Sequence, residues 1–187
     1  MDERQLQERG NRLEEEFFQK QNAAVLAKLR EAKAEDDERQ AMVTALGVDD
    51  AGLVEQLRSH GVTSATLAAV SLAPLVLVAW ADRTLEAKER AEVLREATAS
   101  GIKAGSPEIA LVERWLGERP PGSLMATWAA YAKTVASALD EGRRAEFRGS
   151  IVSRAKAVAG ASGGFAGMNR VSAAERAVLD EVEAALA

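Results

Sequence analysis

Apolar residues recur at every third or fourth position through most of this chain. Runs that alternate apolar and polar with β-branched residues are absent, so the pattern predicts helices and no sheet. The first helix covers residues 2–34, where Leu6, Leu13, Phe17, Ala24 and Leu29 form a narrow stripe with charge on both sides. Such a stripe suits an arm lying on its own domain, or one that pairs with another chain. The charged run "EDDERQ" at 35–40 interrupts it, as a solvated face or a joint. Two short units follow, "AMVTALG" ending at Gly47 and "LVEQLRSHG" ending at Gly61. Each glycine is placed to take the left-handed conformation that closes a helix. Asp49 or Asp50 caps the second unit and Thr63 caps the helix after it. His60 stands in a last turn, where a histidine bonds free carbonyls or favours the dipole.

From Ala65 to Ala81 there are 17 residues without a charge, near the lower limit for a membrane span. Alanines dilute the stretch, Pro74 falls inside it, and no basic cluster or aromatic belt flanks it. The expectation is a core helix buried on all sides and kinked at Pro74. A turn at Asp82 leads to a helix from about Glu86 to Gly101, with Ala91, Val93, Leu94 and Ala97 inward. Ser106-Pro107-Glu108 starts another, which carries Leu111, Val112, Trp115 and Leu116 and stops before Pro120-Pro121. Residues 123–138, a stretch capped by Asp140 and running through Phe147, Ile151 and Val158, and residues 172–186 complete the set. The loop "GASGGFAG" (160–167) has no strand before it and no Gly-Lys-Ser/Thr after it, so it lacks the pattern of a phosphate cradle. Arg143, Arg144, Arg148, Arg154 and Lys156 alternate with acids and read as a solvated face.

Composition narrows the chemistry. The 187 residues carry a formal charge of −5, which argues against bulk attraction to nucleic acid or anionic lipid. With no cysteine there is no disulfide, thiol catalysis or cysteine-bound metal. His60 is the only histidine, so the repeated Glu-x-x-His of a di-iron bundle is missing. The first ten residues lack the apolar region of a signal peptide, and a cytoplasmic protein is expected. The low aromatic share and recurring alanine suit helices packed closely, so the fold class is all-α.

Two segments repeat. "DRTLEAKERAEVLREA" (82–97) aligns with "MNRVSAAERAVLDEV" (168–182), placing Leu85 on Val171, Glu86 on Ser172 and Glu89 on Glu175. Ser172 and Glu175 form a capping box with Val171 as a hydrophobic staple, and Glu86 with Glu89 is a poorer version of it. On these residues the chain resembles the tellurite-resistance TerB-like family, whose members show Ala-Asp-Gly at the end of a buried helix. There an apolar residue, a small or acidic one and a glutamate three places later open the next helix. The counterpart here is Trp80-Ala81-Asp82-Arg83-Thr84-Leu85-Glu86 with Glu89, and the weaker second copy is "GGFAGMNRVSAAE". The resemblance covers about residues 62–187. It implies a compact helical bundle of two pseudo-symmetric halves at 46–187, preceded by an added N-terminal helical arm at 1–45.

The resemblance also implies a non-catalytic, stress-associated module that in some members takes a divalent metal at the acidic turns. The matching residues are Asp82, Glu86 and Glu89, with Glu175 in the second copy, and oxygen ligands of this kind suit Ca²⁺ or Mg²⁺. Arg83 stands where the family has glycine, and Met168-Asn169 where Asp-Gly would stand. The same acids equally serve to end one helix and start the next. The expected function is an interaction or scaffold protein, binding a protein partner or itself through the N-terminal helix. The alternative is a carboxylate-based, metal-dependent enzyme of unknown substrate.

Overall fold

Three positions show how local sequence sets the element boundaries. Gly47 and Gly61 sit at φ +70° and +75°, the left-handed region that glycine enters without a Cβ penalty. Asp50 accepts a hydrogen bond from the Leu53 N–H at 2.9 Å and starts the helix between them. In the computed structural model, the backbone is described for residues 3–161 and 171–187, and side chains from Gln19 onward within them. Described in chain order are α1 (Glu3–Leu46), α2 (Ala51–Ser59), a 3₁₀ helix (Ser64–Leu72), α3 (Ala73–Ala79) and α4 (Ala87–Ala99). They are followed by α5 (Pro107–Gly117), α6 (Ser123–Ser137), α7 (Glu141–Ala161) and α8 (Ala173–Ala185). The described residues contain no strand, and the chain is all-α with a long N-terminal helix.

The chain divides into two units, Met1–Ala41 and Met42–Ala187. Its only described element in the first unit is the part of α1 up to Ala41, and the side chains from Gln19 to Ala41 are exposed apart from half-buried Glu38. Helix α1 runs unbroken through "EDDERQ" and takes in "AMVTAL", which the sequence pattern had set apart. None of the interrupting residues is a helix breaker, and charge on an exposed helix carries no penalty of burial. The Leu6, Leu13 and Phe17 side chains of the expected stripe lie outside the described residues.

In the second unit α3 is the hub, packing against α4, α5, α6, α7, α8 and the 3₁₀ helix. All of its side chains but Leu77 are buried, with Leu75, Val76 and Val78 fully enclosed, and α6, which packs on it, buries Trp128 completely. Each such aliphatic side chain contributes about 1.5–3 kcal/mol by burial. The expected helix over 65–81 is two elements. The 3₁₀ helix begins in a capping box between Thr63 and Thr66, and α3 starts at Ala73. This places Pro74 in a first turn, where its missing N–H costs nothing, whereas an interior proline would lose a hydrogen bond and clash. No single helix among the described residues is long and apolar enough to cross a membrane. The pair formed by α2 and Ser64–Ala79 has the composition but is bent by 77°.

Other expectations change in detail. Helix α4 buries Val93 and Ala97 as read, but Ala91 is exposed and Leu94 only half-buried; Glu89 and Glu96 point inward instead. Arg154 does not belong to a solvated face. It reaches Glu96 at 3.0 Å across the α4–α7 contact, with only 18% of its side chain exposed. Lys156 pairs with Glu183 of α8 at 2.8 Å. Ser106 and Asp140 cap α5 and α7 as the sequence indicates. Helix α7 extends through Ala161, and the rest of the glycine-rich stretch lies outside the described residues.

Candidate functional site

The acidic turn follows directly from how α3 ends. Trp80 closes the helix, its backbone N–H reaching Val76 O and Val78 O, while its indole Nε1 donates to Trp115 O at 2.9 Å and ties the turn to α5. Arg83 then donates its backbone N–H to Trp80 O and adopts φ +72°, the only non-glycine residue at positive φ among the described residues. A side chain in this conformation brings Cβ close to the following carbonyl, at a cost of about 1–2 kcal/mol. The strained position is the one where the resembled family carries glycine.

The carboxylates around this turn each have a structural task. Asp82 is exposed, and its Oδ1 accepts from the Thr84 N–H and Thr84 Oγ, both at 3.0 Å, which closes the loop. Glu86 is exposed and is the N-cap of α4; its side chain accepts from the Glu89 N–H, while Glu89 Oε2 accepts from the Glu86 N–H at 2.9 Å. The poorer capping box read from the sequence is therefore complete. Ser172 and Glu175 build the same box at the start of α8, and Val171 is half-buried against the core.

The two boxes open helices that both pack on α3. Glu89 and Glu175, 86 residues apart, are both buried, and the charge of Glu175 acts on Glu89. Burial is the main cause that raises the Glu89 carboxyl to about 7, with Glu175, Asp82 and Glu86 adding repulsion and the Glu86 N–H opposing it. Two buried acids are thus held at the starts of two helices, α4 and α8, that both pack on α3. The sequence repeat pointed to the two residues as equivalents, and nothing in it indicated that they converge.

Of the residues expected to hold a divalent ion, Asp82 and Glu86 are exposed and Glu89 is buried, and one oxygen of each accepts a backbone or hydroxyl hydrogen. Among the described residues no three His, Cys, Asp or Glu side chains are grouped so as to hold a metal. Met168 and Asn169 of the second copy lie outside the described residues.

His60 takes a role different from the one expected at the end of α2. Its backbone carbonyl is covered by Arg114 Nη2 at 2.8 Å and by the Trp115 indole at 3.3 Å. The side chain is buried, and desolvation lowers its pKa against a hydrogen bond with the Ser123 backbone that raises it. The imidazole is a neutral wall group and adds no charge to the helix end.

Compared with known protein families, curated proteins and solved structures, the chain matches none.

Proposed function

We propose that the protein is a non-catalytic helical scaffold that associates with a second copy of itself through α1. The observation that carries this reading is the exposure of Val25, Leu26 and Leu29, at 56%, 52% and 60%, on one stretch of that helix. Positions 25 and 29 lie one turn apart and Leu26 flanks them, so the three form a contiguous apolar strip. The unit Met1–Ala41 holds no second element to cover it. A single helix in water draws little stability from propensity alone and most of it from packing of an apolar face. A second copy brings the same strip, and a two-fold pairing closes on itself without leaving an open end.

Kinship with the TerB-like family is part of this proposal. It is supported by the left-handed backbone at Arg83, where that family has glycine, and by the paired boxes of Glu86–Glu89 and Ser172–Glu175. On this reading the protein is cytoplasmic, which suits a chain without cysteine. The test is light scattering coupled to gel filtration on the full chain and on a Leu26→Glu Leu29→Glu variant. Self-association that the variant abolishes, with an unchanged helical signal from the rest of the chain, supports the proposal. A monomer at every concentration removes it.

A further inference from the structure

In a chain of net negative charge, one cleft gathers three guanidinium groups from separate elements. It lies where the end of α2 meets the end of α5, has a volume of about 450 Å³, and is lined by Arg58, His60, Arg114, Glu118 and Arg119 among others. Three arginines and one glutamate line it, and with Glu55, the partner of Arg58, counted in, one positive charge remains in excess. Arg58 has only a 3.4 Å pair with Glu55, whose side chain is 67% exposed. Arg114 uses one nitrogen on His60 O and keeps its other donors. Arg119 makes no hydrogen bond or ion pair with the described residues.

The Arg114 guanidinium lies directly against Gly61, the left-handed residue that ends α2. His60, 7% exposed, has an Nε2 with no hydrogen-bond partner. A buried polar nitrogen left unpaired is costly and calls for a reason. The negative end of α2 is already offset, since His60 O accepts from both Arg114 and Trp115.

We propose that this cleft is a binding site for a small phosphomonoester. The planar fork of arginine fits phosphate oxygens in pairs, and forks arriving from α2, α5 and the loop after α5 suit a tetrahedral anion better than a flat carboxylate. The volume exceeds what a bare phosphate fills and lies in the range of small-molecule sites. The Trp115 and Pro120-Pro121 walls offer apolar surface to the rest of the molecule.

The experiment is calorimetric titration of the full chain with phenyl phosphate at constant ionic strength, with inorganic phosphate and benzoate in parallel. Arg119→Gln and the double variant Arg58→Gln Arg119→Gln are titrated alongside. Urea unfolding serves as the folding control, and Arg119→Gln should leave it unchanged because Arg119 is exposed and unpaired. The expected result is one saturable site for phenyl phosphate, weakened about tenfold or more in Arg119→Gln and lost in the double variant. Absence of saturable binding, equal binding by the double variant, or benzoate binding as tightly as phenyl phosphate would each overturn the proposal.

Discussion

Replacing Glu89 by glutamine should stabilise the protein, by an amount that depends on pH. Glu89 is 3% exposed, and its carboxyl is raised from 4.5 to about 7, first by burial and then by the negative charges of Glu175, Asp82 and Glu86. Between these two values the folded protein holds a proton that the unfolded chain has released. Folding stability from this group is therefore complete below about pH 4.5, falls as pH rises through the window, and levels off above about 7. At about 1.4 kcal/mol per unit, the folded state loses about 3.5 kcal/mol on the way. Glutamine is neutral throughout and keeps an oxygen to accept from the Glu86 N–H, so the capping box survives. Urea unfolding followed by circular dichroism, on both proteins from about pH 4.5 to 8.5, isolates the effect because groups titrating alike in both cancel. The variant should match the wild type at the acid end and exceed it by about 3.5 kcal/mol at the alkaline end. A difference that stays flat with pH, or a variant less stable than the wild type at about pH 8, would refute the reasoning.

Arg83→Gly should raise stability by about 0.5–1 kcal/mol, since relief of the φ +72° strain exceeds the added freedom of the unfolded chain; a fall in the urea midpoint would contradict it. Arg154→Ala should cost about 2 kcal/mol by leaving buried Glu96 with only the exposed Arg95, at 2.6 Å, as a charged partner. Its unfolding midpoint should be restored in part when Glu96→Gln is added, and no recovery would mean the pair is not coupled. His60 acts opposite to Glu89: its lowered pKa makes stability present above the usual 6.5 and lost as pH falls below it. In the Glu89→Gln background the unfolding free energy should therefore decline from about pH 7 to 5, and a flat profile there would count against a buried neutral imidazole.

The readable features were local ones. The closing glycines at 47 and 61, the caps at Asp50, Ser106, Asp140 and Ser172, and the burial of "PLVLV" depend on residues within a turn of one another, where sequence and geometry are tightly linked. The break before Pro74 was signalled by the proline, but a nine-residue 3₁₀ helix ahead of it was not, because such runs are unusual and have no distinct period in apolar residues. The continuity of α1 was hidden by charge, which marks exposure as readily as it marks a joint. What stayed illegible was long-range. Glu96 with Arg154, Glu89 with Glu175, and the arginines at 58, 114 and 119 come together only when separate helices pack around α3. Their polar character predicted solvent, and packing placed all three glutamates inside.

If the apolar strip on α1 joins two copies of the chain, the solution mass of the 187-residue chain measured against concentration shows it directly. The account predicts a mass rising to twice the 19.9 kDa of one chain, and a Leu26→Glu Leu29→Glu variant that stays at one. A wild-type mass of one chain at all concentrations, or a variant that dimerises as well as the wild type, would contradict it.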